Sequence, residues 1–173
     1  MEIAPAQPAD LPELAAVAAI TFPLACPPSA TEDNIAAFIA DNLSEQRFGA
    51  YLNDPDRIVL VARDTSITGY AMLIHGVADD PDVQRAVPRR PALELSKIYV
   101  LPQRHGGGTA RQLMTATMRT ATESGAACVW LGVNQHNHRA QRFYTKSGFT
   151  IAGTKTFRLG AGIENDFVMV RPV

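Results

Sequence analysis

The stretch ELSKIYVLPQRHGGGTA, from Glu94 to Ala110, decides the fold, and it runs directly into the apolar-periodic segment ARQLMTATMRTA. Its first part, from Leu93 to Val100, is rich in β-branched and aromatic residues and reads as a strand. A short loop follows, then Gly106, Gly107 and Gly108, then an amphipathic helix. A glycine-rich turn between a strand and a helix N-terminus is an anion site. Backbone N–H groups converge there, and the helix dipole adds about half a positive charge. Phosphate is the expected guest. The Walker pattern does not fit, because Gly108 is followed by Thr109, Ala110 and Arg111 rather than by Lys and a hydroxyl residue. The dinucleotide fingerprint fits only if the glycine run is miscounted. Taken alone, three glycines are equally a flexible turn.

What lies downstream gives the loop its meaning. A strand, Cys128-Val129-Trp130-Leu131-Gly132-Val133, leads to Asn137-His138-Arg139-Ala140-Gln141-Arg142-Phe143-Tyr144 and then to Gly148-Phe149. Together these segments resemble the GNAT superfamily of acetyl-coenzyme A-dependent N-acetyltransferases. That family carries Arg/Gln-x-x-Gly-x-Gly/Ala in its loop, and further along Asn-x-x-Ala-x-x-x-Tyr and a Gly-Phe. Two registers of the loop are open. Gln103-x-x-Gly106-x-Gly108 satisfies the pattern but starts early after the strand. His105-x-x-Gly108-x-Ala110 sets Leu113-Met114 as the first buried helix pair and is preferred, with His105 standing where the family has Arg or Gln.

The rest of the chain follows the same plan. Glu2 to Ala6 is a short edge strand. Pro8 and Asp10 open a helix with Leu11, Leu14, Val17, Ala18 and Phe22 on its apolar side, ended by Pro23, Pro27 and Pro28. Thr31 caps a second helix holding Ile35, Phe38, Ile39 and Leu43, and a short helix covers Ser44 to Tyr51. Ile58 to Ala62 and Gly69 to Val77 read as a hairpin across Arg63 to Ser66. A polar, proline-rich loop runs from Ala78 to Pro91. Two final strands, Thr150 to Leu159 and Asp166 to Val170, are joined through Gly160-Ala161-Gly162. One domain over residues 1–173 is expected, of class α/β. The resemblance implies the GNAT acyl-CoA N-acyltransferase fold: three layers, α/β/α, with a mixed, mostly antiparallel sheet and a splayed parallel strand pair.

The resemblance also implies the site. Pantetheine would lie in the splay and pair with backbone groups of Ile98, Tyr99 and Val100. The pyrophosphate would lie over His105, Gly106, Gly107, Gly108, Thr109, Ala110 and Arg111, mainly on backbone amides. Arg111 adds charge to phosphate or is an ordinary exposed helix arginine. Asn137 holds the pantetheine arm, caps the next helix, or does both. Tyr144 matches the tyrosine beside the coenzyme sulfur, the general acid, and a backbone N–H near Val100 is the oxyanion donor. Glu94 is the base candidate, placed by strict alternation on the face of Ser96, Ile98 and Val100. Its structural alternative is an ion pair with Arg89, Arg90 or Lys97. His75, on the neighbouring strand, is the reserve base.

Acetyl-CoA is therefore the expected co-substrate and a primary amine the acceptor. Within the superfamily the pattern is closest to bacterial polyamine acetyltransferases of the PaiA type. The shared features are Thr21-Phe22, Leu93-Glu94-x-x-x-Ile98-Tyr99, Trp130-Leu131-Gly132-Val133, Phe157-x-x-Gly160 and Asn165-Asp166. Asn134 replaces the Trp those proteins tend to carry. Ribosomal-protein alanine acetyltransferases carry a glutamate where this chain has Gly132, which argues against a peptide α-amine. A protein lysine or N-terminus is the second acceptor, and a non-catalytic acyl-CoA-binding module the other class. A polyamine pocket needs carboxylates, for which Asp33, Glu45, Asp79, Asp80 and Asp82 are available.

Composition sets the outer bounds. A net charge of −1 gives no basic surplus for nucleic acid or an anionic membrane. No apolar run reaches the roughly 18 residues a membrane span requires. The first residues, MEIAPAQPADLPEL, lack the basic start and apolar stretch of a signal peptide. Cys26 and Cys128 are too few for a metal site or a disulfide framework, so no metal is expected. A cytoplasmic enzyme is the resulting expectation, and the family admits a homodimer through its C-terminal strands.

Overall fold

The computed structural model describes residues 1–173. The β-branched and aromatic runs form seven strands: Glu2–Pro5 (β1), Arg57–Arg63 (β2), Ile67–His75 (β3), Ala92–Val100 (β4), Cys128–Asn134 (β5), Thr150–Leu159 (β6) and Gly162–Pro172 (β7). They make one sheet in the order β1-β2-β3-β4-β5-β7-β6. Only β4 and β5 run parallel, and they pair over just Ala92↔Cys128, Leu93↔Val129 and Glu94↔Trp130. Beyond Glu94 the two strands part. The expected splay is present, in the expected mixed and mostly antiparallel sheet.

The six helices are Leu11–Thr21 (α1), Glu32–Asn42 (α2), Glu45–Leu52 (α3), Pro81–Ala86 (α4), Thr109–Glu123 (α5) and His138–Lys146 (α6). Thr31 and Ser44 cap α2 and α3, their hydroxyls accepting from the Asn34 and Arg47 amides at 3.2 Å. This removes one orphan donor per helix, worth about 1 kcal/mol each. α5 packs over β2, β3 and β4. Leu113 and Met114 there join Leu93, Leu95, Val129, Leu131 and Phe149 in the larger core. On the opposite face α1, α2 and α3 bury Leu14, Val17 and Phe48 against Tyr70 and Met72.

Three readings need correction. The segment Ala78 to Pro91 is not wholly loop. Asp80 caps α4, its carboxylate accepting from the Asp82 amide at 2.8 Å, with Pro81 in the first turn. Val83 and Val87, one helical turn apart, bury against Trp130 and Val168. The last strand is also longer than Asp166 to Val170, because β6 and β7 form a hairpin from Leu159↔Gly162 to Thr150↔Val170, with one register shift at Ala152.

The third correction concerns the faces of β4. The register with β3 passes from Met72↔Lys97 to Leu73↔Leu95, so Ser96 is an extra residue, a β-bulge. Alternation is interrupted there. Leu93 and Leu95, before the bulge, share the α5 face with Ile98 and Val100, after it. Glu94, opposite Ile74, shares the other face with Lys97 and Tyr99, opposite Met72 and Tyr70.

Candidate active site

A cavity of about 820 Å³ opens where β4 and β5 separate. It collects most of the residues singled out from sequence: Glu94, Ile98, Tyr99, Val100, His105, Gly106, Gly107, Gly108, Ala110, Arg111, Asn137 and Tyr144 all line it. Thr109 does not; its side chain is buried, and only its amide is on offer. His75 stands apart, exposed at the end of β3 and outside the cavity.

The splayed edge of β4 has unpaired backbone. The Leu101 amide donates to the Thr68 carbonyl at 2.9 Å. Antiparallel ladders alternate, so Tyr99 and Lys97 turn their amides to β3, and Ile98 and Val100 turn theirs into the splay. Of Ile98, Tyr99 and Val100, it is thus Ile98 and Val100 whose backbone faces the splay. The Val100 carbonyl is already engaged by His105 Nε2 at 2.8 Å, and the Val100 N–H is left open. Thus His105 ties the glycine loop to the end of β4.

The loop itself is an amide cradle. Gly108 is the N-cap of α5 with φ of 85°, and Gly106 has φ of 81°, a backbone only glycine adopts without strain. The helix starts at Thr109, directly after Gly108. The Gly107 amide is used by the Arg104 carbonyl at 3.2 Å. Those of Gly106, Gly108, Thr109, Ala110 and Arg111 meet no acceptor within the chain. Five open N–H groups at a helix N-terminus suit a phosphate. The Arg111 guanidinium is exposed and forms no ion pair.

Across the splay, Asn137 caps α6, its Oδ1 accepting from the Ala140 amide at 3.0 Å, and its amide NH₂ remains free. Two helical turns on, the Tyr144 ring packs at 5.5 Å from Phe143 and 6.0 Å from Phe149. Burial pushes its phenol well above the usual range, so the proton stays on. Tyr99 is raised too, by burial and by the proximity of Tyr144.

Glu94 is the last residue of β4 paired with β5. Its carboxylate forms no ion pair, so the pairings with Arg89, Arg90 or Lys97 are absent. Burial raises its pKa, partly opposed by Lys155, Lys97 and Arg57. Around it lie residues that sequence reading missed. Lys155 meets Asp166 at 3.5 Å, with side chains 17% and 10% exposed; this depth makes the pair matter. Gly132 makes room for it, since a Cβ there would fall 2.5 Å from Lys155 Cε. Glu164 accepts from Ser29 Oγ at 2.8 Å and from Asn134 Nδ2 at 3.4 Å. Lys97 also faces the cavity, its pKa lowered to about 8 by burial, which Glu94 opposes. Phe22 and Phe38 stack at 4.4 Å as an aromatic wall, with Phe157 edge-on at 5.8 Å. The five carboxylates offered from sequence, Asp33, Glu45, Asp79, Asp80 and Asp82, line none of this cavity. Pairing across the β6–β7 hairpin would have suggested Lys155 with Asp166; nothing in the sequence marks the bulge.

The sequence pattern of the Acetyltransferase (GNAT) family matches residues 22–149. The chain belongs to the GNAT acetyltransferases. An uncharacterized N-acetyltransferase of Mycobacterium tuberculosis is 58% identical over 163 residues, 94% of this chain and 97% of that protein. Another, from Lactobacillus delbrueckii subsp. lactis, is 27% identical over 161 residues, 92% of this chain and 90% of that one. Among solved structures, a PaiA N-acetyltransferase of Thermoplasma acidophilum in complex with coenzyme A superposes with a TM-score of 0.77 at 19% identity, covering 99% and 98% of the two chains. The ribosomal-protein-S18-alanine N-acetyltransferase of Escherichia coli gives 0.69 at 20% identity, covering 99% and 93%. At those identities the likeness is one of fold. As a GNAT enzyme the chain is an acyltransferase, with acetyl-CoA as its co-substrate.

Proposed function

We propose that this GNAT enzyme transfers acetyl from acetyl-CoA to the primary amine of a small acceptor, with Glu94 as base and Tyr144 as acid. The observation that carries the reading is their placement: an unpaired carboxylate and a protonated phenol line one cavity at the splay, beside the open Val100 N–H. The coenzyme fits what the chain leaves open. The Ile98 and Val100 backbone would receive the pantetheine arm, the amides of Gly106 and of Gly108 to Arg111 the pyrophosphate, and the Asn137 NH₂ a pantetheine carbonyl. Acetyl-CoA supplies an acyl group already activated as a thioester.

Glu94 takes a proton from the acceptor amine, directly or through water, as the amine nitrogen bonds to the acyl carbon. The Val100 N–H donates to the carbonyl oxygen as charge gathers there. The carbon–sulfur bond breaks, and the Tyr144 hydroxyl gives its proton to the departing sulfur. Solvent then returns a proton from Glu94 to Tyr144. A base whose pKa is raised toward neutrality is better matched to this work than an ordinary carboxylate.

A polyamine is the second reading, supported by the PaiA-type motif resemblance and by the three carboxylates lining the cavity, Glu94, Glu164 and Asp166. For a second copy of the chain, the edge strand β6 offers the docking element. The transfer is tested by thiol release from acetyl-CoA against spermidine, spermine, simple amines, lysine and N-terminal peptides. Turnover with a small amine, falling about 100-fold or more in Tyr144→Phe, is expected. No turnover with any amine, or an unchanged Tyr144→Phe variant, contradicts the proposal.

A further inference from the structure

The charges facing the acceptor side of the cavity are not equally available. Asp166 is held by Lys155 at 3.5 Å. Both oxygens of Glu164 accept hydrogen bonds, from Ser29 and Asn134. Those two donors are neutral and leave the charge of Glu164 in place, but they occupy both its oxygens. Arg57, the remaining cation near Glu94, is paired with Asp54 at 2.9 Å and lies over the Tyr51 ring. Two other charged groups, both on β4, have their hydrogen-bonding atoms almost unused. Glu94 has no partner, and the Lys97 ammonium has only the Ser96 hydroxyl at 3.5 Å. Residues three apart on a regular strand point to opposite faces; the bulge at Ser96 turns both to the same one. A desolvated charge left without a partner costs stability, and both of these line a cavity large enough to bring them a ligand.

We infer that the acceptor is a small zwitterion, a primary amine carrying an anionic group, with the amine presented to Glu94 and the anion held by Lys97. The inference rests on the acetyl-transfer reading and sharpens its substrate class. A diamine or polyamine would set its second ammonium beside Lys97, the unpaired cation on the same face of β4 as Glu94, which repels it, while Asp166 is already paired and both oxygens of Glu164 already accept hydrogen bonds. An acceptor ending in a carboxylate or phosphate completes both open charges at once. At pH 7 a lysine with a pKa of about 8 is still mostly charged. Three residues of extended strand span about 10 Å at most, so the amine and the anion are separated by a few bonds.

The test compares acceptors matched in length and differing in terminal charge: ω-amino acids of two to six carbons, ω-aminoalkyl phosphates, α,ω-diamines and n-alkylamines. Initial thiol release from acetyl-CoA gives kcat/KM for each. An amino acid or aminoalkyl phosphate at least tenfold better than both the diamine and the alkylamine of its length supports the inference, and the better of the two identifies the anion. Lys97→Met should then lower the anion-to-alkylamine ratio about tenfold or more, and Lys97→Arg should keep the order of acceptors. A lesion that was merely structural would depress all acceptors alike and leave the ratio standing, which overturns the role of Lys97. Equal rates, or a preference for diamines, overturn the inference alone. Thiol release with none of the acceptors, in a protein that still binds coenzyme A, overturns the transfer reading beneath it.

Discussion

Gly69 sits where β3 passes the functional end of β4, opposite Val100. A Cβ at this position would lie 2.7 Å from the Tyr99 carbonyl oxygen, 3.1 Å from Val100 Cγ2 and 3.3 Å from Leu113 Cδ1. The side chains can yield by a few tenths of an ångström. The carbonyl belongs to the neighbouring strand, and α5 closes the face above with Leu113, so Gly69→Ala must push β4 away. Overpacking of this kind costs about 1–3 kcal/mol, which lowers Tm by roughly 2–12 °C for a chain of this size. The displacement falls on Tyr99 and Val100, next to the open N–H assigned to the developing oxyanion. A misplacement approaching 1 Å at reacting groups costs on the order of 100-fold in rate. Thermal unfolding of the variant with and without coenzyme A, alongside kcat with a working acceptor, separates the two effects. Expected are a lowered Tm, retained coenzyme binding through the loop amides and a kcat reduced by at least tenfold. A variant as stable and as active as the parent would refute the claim that the end of β4 is held rigidly in place.

The pH dependence of the rate should carry a limb belonging to Glu94. Burial raises its pKa and the base works ionised, so kcat/KM should climb with pH through a value above the ordinary carboxylate range; Glu94→Gln should lose that limb. The same shift acts on stability with the opposite sense. Between the unfolded and the raised folded pKa the native state binds more protons, so stability falls as pH rises through that window. Glu94→Gln should flatten this decline in denaturant titrations. Lys155→Met leaves Asp166, 7% exposed, without its cation, at a cost of about 3 kcal/mol. Asp166→Asn added to it should recover a large part, and additive losses by denaturant unfolding would show that the pair is not coupled.

The legible part of this molecule was whatever local chemistry dictates. Three glycines before an amphipathic helix fix a loop with open amides whatever surrounds them. Asn137 reads as a cap because its side chain answers to a backbone amide three residues on. Thr31 and Ser44 are legible for the same reason. α4 was missed although Asp80-Pro81 carries a start signal, because prolines and charges around it outweighed a pair of valines. The face of Glu94 was lost to a different cause. Side-chain alternation is a local rule, and the extra residue at Ser96 is registered only against Met72 and Leu73 of another strand. The acceptor side suffered most. Lys155 and Asp166 come from two arms of a hairpin, Glu164 is held by Ser29 from the loop after α1, and Lys97 joins them only through the bulge. Charged groups brought together from separate elements leave no period or motif to read.

The most direct measurement is the structure of the protein with coenzyme A bound. The account predicts the pantetheine arm in the splay, bonded to the backbone of Ile98 and Val100, with its pyrophosphate on the amides of Gly106 and of Gly108 to Arg111. Its sulfur should lie within hydrogen-bonding reach of the Tyr144 hydroxyl, on the path to Glu94. A coenzyme bound outside the splay, or with its sulfur turned away from Tyr144, would contradict it.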